Sequence, residues 1–192
     1  VYGQFNAVTF LPQMSRVIEG APADRRQYID EILSQVEPGY SRHLSAYSKA
    51  LTQRNALLKS LSETGGDKNQ LEPWDDLLAR HGAMIMHARI LALAALEKQA
   101  IPIHQRLTRD LEVLQFHYQP SYEPLKKPAG QMALPVQTTL DRTAIGSEEL
   151  ERGLLAAMKQ SYHADIQRGQ TSLGPHRDEI RFLSNQIDLG DF

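Results

Sequence analysis

Apolar residues recur along this chain at three- and four-residue spacing in four blocks, and in short β-rich runs between and around them. The first helical block carries Tyr28, Ile29, Ile32, Leu33 and Val36. It is entered through Gly20-Ala21-Pro22, with Pro near the first helical position, and stopped by Pro38-Gly39. The second, over residues 40–62, places Tyr40, Leu44, Tyr47, Leu51, Leu58 and Leu61 on one stripe close to a heptad seam, which predicts lengthwise packing against another helix. The third opens near Pro73-Trp74 and carries Leu77, Leu78, Met84, Ile85, Ala88, Leu91, Ala92, Ala95 and Leu96. Pro102 predicts a kink or break there, with the pattern resuming at Ile103, Leu107 and Leu111. Gly65-Gly66-Asp67-Lys68-Asn69 is a loop, so these two helices form an antiparallel hairpin reversing around residues 63–72. The fourth block begins at Gly146-Ser147-Glu148-Glu149, where Ser caps and the Glu pair suits the dipole. It runs through Leu150, Leu154, Met158, Tyr162 and Ile166 and ends at Gly169.

The shorter runs read as strands. Residues 5–11 are β-rich and bounded by Pro12; Leu114–Tyr118 is ended by Pro120; residues 180–183 and 187–189 form a hairpin around Ser184-Asn185-Gln186. Residues 119–146 hold four prolines and read as loop, with a short strand expected at Pro135-Val136-Gln137-Thr138. The fold class is therefore α+β, mainly α: a helical hairpin with short flanking strands.

Composition narrows the function. The 192 residues are 41% hydrophobic and 23% charged with a net charge of −2, enough for one substantial core and without global attraction for nucleic acid. Contact with DNA would have to come from a local, salt-sensitive patch. The absence of cysteine excludes disulfides, thiolate nucleophiles and Cys-based zinc sites, and permits a reducing cytosol. No apolar run spans a bilayer and no signal peptide is evident. The chain starts without Met at Val1 and stops at Phe192 in an apparent strand, which reads as two cuts through a longer protein.

Charged residues in unexpected places supply the candidate chemistry. Arg25-Arg26 put two cations in a first helical turn, against the helix dipole at roughly 0.3–1 kcal/mol each when exposed. They either pair with Asp24, Asp30 or Glu31, or meet an external anion. Arg54 falls on the apolar stripe between Leu51 and Leu58, with Asn55 beside it; a buried, register-fixing hydrogen-bonded pair is the simpler reading beside a ligand site. The densest cluster is Gly169-Gln170-Thr171-Ser172-Leu173-Gly174-Pro175-His176-Arg177-Asp178-Glu179. Gly174 tolerates unusual dihedrals and Pro175 pushes it away from the α region, so a rigid corner delivers three polar side chains together. It reads either as a structural corner with an internal Arg177–Asp178 pair or as a functional one. If extended, His176 and Asp178 share a face, but a third ligand at metal spacing is missing, which weighs against a metal-dependent hydrolase there. His43, His104 and His117 are isolated in sequence, and no phosphate-binding glycine loop is present.

The same residues carry a family resemblance. Thr171-x-x-Gly174-Pro175-His176-Arg177-Asp178-Glu179 resembles the Gly-Pro-His-Arg-Asp-Asp segment of the RecF family, SMC-like ABC-type ATPases of bacterial DNA recombination and gap repair, with Glu179 in place of the last Asp. Val8-Thr9-Phe10-x-Pro12, Gly20-x-Pro22-x-x-Arg25-Arg26-x-x-x-Asp30, Tyr47-x-x-x-Leu51-x-x-Arg54-Asn55-x-x-Leu58, Trp74 and Tyr118-x-Pro120-Ser121 follow in family order. Gln13-Met14 stand where the family has Glu-Asp, and Asn185-Gln186 replace its Asn-Gly turn.

The resemblance implies a helical arm (lobe II) inserted into an ABC-type ATPase head: residues 1–20 as head strand and linker, 21–113 as arm, 114–168 as strand, Pro-rich loop and helix, and 169–192 as corner and head hairpin. It implies a cytoplasmic protein that, at full length, binds ATP with Mg2+, hydrolyses it weakly, dimerises on ATP, binds single-stranded or gapped duplex DNA, acts with RecR and RecO to load RecA, and takes part in the SOS response. The segment itself should neither hold ATP nor turn it over, because the phosphate loop, signature and Walker B acid fall outside it. Gln13, His176, Arg177 and Asp178 become candidates for coupling to nucleotide state, and Arg25, Arg26, Arg54 and Asn55 for contact with DNA or a partner. A non-enzymatic helical module that binds only proteins is the alternative.

Overall fold

The computed structural model describes residues 16–124 and 140–191. The strand expected at 5–11, Gln13 and the strand expected at 135–138 lie outside them. A short helix α1 (Arg16–Glu19) precedes α2 (Pro22–Val36), α3 (Tyr40–Thr64) and α4 (Glu72–Thr108). Then come β1 (Leu114–Gln119), α5 (Ser147–Arg168), β2 (Glu179–Ser184) and β3 (Ile187–Asp188), with 3-10 turns at Lys68–Leu71 and Leu189–Asp191. The three strands form one antiparallel sheet in the order β1-β2-β3, with Phe116 opposite Phe182 and Tyr118 opposite Ile180.

The mainly helical class and the helical hairpin follow from the stripe pattern. Helices α3 and α4 pack along one another and α5 lies against both. The main core joins Ile29 and Leu33 of α2, Tyr47 and Ala50 of α3, Leu78, Ile85 and Ile90 of α4, Leu150, Leu154 and Met158 of α5, and Tyr118 and Ile180 of the sheet. A smaller cluster of Leu58, Leu61, Leu71 and Tyr162 closes the hairpin tip. Gly82 sits where α4 meets three neighbours: a Cβ there would stand 3.1 Å from Leu154 and Tyr47 and 3.3 Å from Pro175.

Several expectations need correction. Leu44 and Leu51 are only half-buried and line a cleft between α2 and α3 rather than the α3–α4 seam. The buried side keeps a seven-residue repeat through Tyr40, Tyr47, Arg54 and Leu61, with Ala50 and Leu58 beside it, which leaves Leu44 and Leu51 at its edge. Helix α4 neither breaks nor restarts at Pro102. Both Pro102 and Lys98, whose carbonyl loses its partner, are exposed, so water can satisfy that carbonyl. Leu77, Met84, Leu91 and Leu96 are exposed along α4, as are Ile103 and Leu107, where α4 outruns the shorter α3, and Leu111 beyond its end. At α5 the cap is Gly146, and Ser147 is the first helical residue with no capping bond. The last strand stops at Asp188 and gives way to a 3-10 turn. The β2–β3 hairpin stands with Asn185 and Gln186 both at positive φ (50° and 69°), the geometry of a two-residue primed turn, despite the lack of a glycine.

Candidate functional site

The corner that follows α5 gathers side chains from every major element. Gly174 takes φ +121°, and a Cβ there would fall 2.3 Å from the Tyr47 hydroxyl, so only glycine fits. The Arg177 amide then donates to the Gly174 carbonyl at 2.8 Å, closing a turn over 174–177. Because of this turn His176 and Asp178 do not share an extended face: they diverge toward different partners.

On one side lies a dry ionic knot. Arg54 Nε donates to Asp75 Oδ1 at 2.6 Å, and its Nη1 donates to Asp165 Oδ2 and to Thr171 Oγ1, each at 2.8 Å. All four residues are 0% exposed. Tyr162 donates its hydroxyl to Asp75, and Asp165 Oδ1 accepts from the Ser172 amide and hydroxyl. Burial pushes the Asp75 carboxyl upward, against the field of Arg54, which lowers it. Asn55 completes the clamp by accepting from both the amide and the hydroxyl of Thr171, at 2.8 and 2.7 Å. Arg54 and Asn55 are therefore the register-fixing pair, with Thr171 as their shared partner. Arg54 has no exposed surface with which to meet an external anion, and Asn55 is half-buried with its amide oxygen given to Thr171.

The other side is built on Asp178. Its Oδ1 accepts from the Ser121 amide at 2.8 Å and its Oδ2 from the Tyr118 hydroxyl; Ser121 Oγ, 3.0 Å from that carboxylate, accepts from the Gly174 amide at 2.8 Å. Burial raises the Asp178 carboxyl, while the Ser121 amide and Tyr118 hydroxyl favour its charged form. Arg26 donates to the Asp178 carbonyl at 2.7 Å. Arg25 pairs with Glu179 at 3.0 Å and donates to the Ile18 and Gly20 carbonyls. Neither arginine takes a side-chain carboxylate of its own helix. Arg89 clamps Asp30 through two bonds of 3.0 and 2.9 Å and donates to the Pro175 carbonyl at 2.7 Å.

Between the two halves stands His176. Its Nε2 lies 3.2 Å from the Thr171 carbonyl, which can only accept, so Nε2 carries the proton; Nδ1 then accepts from the Tyr47 hydroxyl at 2.6 Å. Burial pushes its pKa down to about 4, leaving a neutral ring at pH 7. Arg177 points the other way. No ion pair joins it to Asp178; it is exposed and donates to the Thr171 carbonyl at 3.3 Å and to Gln170 at 2.9 Å. The internal Arg177–Asp178 pair is thus corrected: the turn sends one inward and the other out. A cleft of about 730 Å3 opens beside the corner, lined among others by Arg26, Asp30, Tyr47, Leu51, Arg89 and His176. Among the described residues, no three His, Asp or Glu side chains are grouped to hold a metal.

Pattern reading missed Asp75, Arg89 and Asp165 as partners. Each is in phase with a buried stripe: Asp75-Leu78-Gly82-Ile85-Arg89 along α4, and Tyr162-Asp165 at the end of α5. A charge in helical phase with a core stripe was the available signal. It also missed His43 and His81, whose Nδ1 atoms lie 3.0 Å apart across α3 and α4.

Comparison with known proteins bears on this geometry. No family model matches the chain. It is 36% identical over 188 residues to the DNA replication and repair protein RecF of Oceanobacillus iheyensis, covering 97% of this chain and 46% of that protein. RecF proteins of Exiguobacterium sp. and Bacillus mycoides match at 34% over 190 residues and 36% over 193, each covering 99% of this chain and 46% of the relative. Two solved structures of the recombination mediator protein RecF of the RecFOR pathway superpose on it. RecF-ATP gives a TM-score of 0.80 at 26% identity, covering 99% of this chain and 46% of that one; RecF-ATPrS gives 0.78 at 26%, covering 95% and 44%. The chain thus spans about half the length of the relatives it matches. Sequence identity across nearly all of its residues and a shared fold place the chain in the RecF family.

Proposed function

We propose that this chain serves as the helical arm and junction of a RecF-type DNA repair protein. Residues 21–113 act as the interaction and signalling arm, 1–20 and 114–168 as its connections to an ABC-type ATPase head, and 169–192 as the junction. The whole protein would bind ATP with Mg2+ in the cytoplasm, dimerise on ATP, engage single-stranded or gapped DNA, and act with RecR and RecO in loading RecA. The relatives' names, the ATP-bound RecF structure and its RecFOR pathway support this reading. No described helix is long and apolar enough to cross a membrane.

One observation carries the role given to the corner. His176 and Asp178 are locked inward against α3 and β1, while Arg177 between them stands exposed on the same rigid turn. A guanidinium held this way is preorganised to meet an anion or carboxylate outside the chain and to report that contact through the locked corner to α3 and α4. Arg177 and Arg26 are thus the contact residues; Arg25, Arg54 and Asn55 hold the fold, with Gln13, His176 and Asp178 in the coupling path. In the full-length protein Arg177→Ala should reduce ATP-dependent dimerisation or hydrolysis more than low-salt DNA affinity. A weaker DNA affinity with a salt slope reduced by about one would instead make Arg177 a phosphate contact. A fall in thermal stability with both activities intact would make the corner purely structural.

A further inference from the structure

Two histidines stand apart from the corner and the core. His43, in the first turn of α3, and His81, on the facing side of α4, place their Nδ1 atoms 3.0 Å apart, with ring centroids separated by 5.2 Å and planes tilted by 59°. Both are half-buried. Such a contact requires one Nδ1 to carry a proton and the other to be bare, so the pair shares a single proton between two lone pairs. A second proton there would set two N–H donors against each other. His81 is further biased toward neutrality by burial, by His43 and by Arg80; Glu151 of α5, 4.0 Å from Arg80, acts in the opposite sense.

Two neutral imidazole nitrogens converging from two helices are also the donor set preferred by late first-row divalent cations. Zinc–nitrogen bonds of about 2.0–2.1 Å at a tetrahedral angle separate two ligand nitrogens by about 3.3 Å. The observed 3.0 Å needs a widening of only a few tenths of an ångström, within reach of side-chain rotation on half-exposed rings. We propose that His43 and His81 form a two-histidine site for a zinc-class divalent cation, which replaces the shared proton and clasps α3 to α4. Water completes the coordination. Imidazole ligation selects zinc, nickel or copper over magnesium and calcium, which want oxygen.

The test is titration of the 192-residue chain with zinc chloride at pH 7.5, followed by calorimetry and thermal unfolding. One equivalent should bind and raise the Tm. His43→Gln and His81→Gln should each weaken binding at least about tenfold, a loss seen even when an outer partner of a metal ligand is removed, while His163→Gln, on the exposed face of α5, should leave it unchanged. Zinc that fails to bind, lowers the Tm, or binds the His43→Gln chain as tightly as the parent overturns the proposal. Should either variant fail to fold, nitrogen-15 NMR of the parent chain decides: zinc must move the Nδ1 resonances of His43 and His81, and movement confined to other histidines overturns the site.

Discussion

The corner and the far end of α4 invert the usual rule in opposite directions. At the corner the chain buries Arg54, Asp75, Asp165 and Asp178, all 0% exposed. Along the last turns of α4 and just beyond, it leaves Ile103, Leu107 and Leu111 at 52%, 79% and 78% exposure. Area removed from water would favour the reverse arrangement. Buried ion clusters add little net stability over apolar packing, yet removing one member is costly because the others are left uncompensated. The corner therefore contributes geometry: one arrangement of α3, α4, α5 and β1 pairs its charges, with Arg54 Nη2 left without a hydrogen-bond partner, and a slipped register leaves charges unpaired. At the end of α4 it is His104, 3.5 Å from Glu112, and not these apolar side chains, that meets the rest of the described fold.

The sharpest way to break this contrast is Arg54→Ala. With Asp75 and Asp165 left in a dry site, urea unfolding should show a loss of roughly 3–5 kcal/mol. A loss below about 1 kcal/mol, the range of exposed ion pairs, would mean the knot is hydrated and the contrast mistaken. Gly174→Ala comes next. Its strained backbone costs roughly 1–3 kcal/mol, and its methyl group must displace the Tyr47 hydroxyl from His176. Gly82→Ala, whose methyl would press on Leu154 and Tyr47, tests packing at the same junction without the positive φ.

A pH series sharpens the same point. The folded His176 pKa, about 4, lies below the unfolded value of about 6.5. Depression of a basic group means that neutrality favours the fold, so this contribution is fully present above pH 6.5 and is lost as pH falls toward 4. Between pH 7.5 and 5 the loss should be about 2 kcal/mol. The raised carboxyls of Asp75 and Asp178 act in the opposite sense, so the quantity to measure is the difference between the parent chain and His176→Gln. Equal acid sensitivity of the two would show that His176 is not held neutral by its site. At the other end of the scale, Leu107→Ser should change stability by less than about 0.5 kcal/mol; a larger loss would show that α4 is covered there.

How far this was legible in the sequence depends on the kind of signal. Helices α2 to α5, β1 and the β2–β3 hairpin follow from apolar spacing, because burial of one face imposes that spacing. The apolar residues of α4 misled, since Leu77, Leu91 and Leu107 fit the template yet stay exposed among the described residues; periodicity reports a face, not its partner. The corner was visible as a composition, but its wiring was not. Arg25 reaching Glu179, 154 positions away, and Arg54 reaching Asp165 and Thr171 are long-range pairings that local spacing cannot encode. The resemblance supplied the missing link: its separated motifs, which carry Asp30, Arg54-Asn55, Ser121 and Asp178, meet around this one turn.

Native-state amide hydrogen exchange tests the central claim most directly. The amides of Ser121, Thr171, Ser172, Gly174 and Arg177 lie outside regular helix and strand, yet each donates to a corner partner. If the corner is the locked junction of the fold, these five exchange only through global unfolding, with protection equal to that of buried α4 residues such as Leu78 and Ile85. Exchange at the rate of an exposed loop, while Leu78 and Ile85 stay protected, would contradict it.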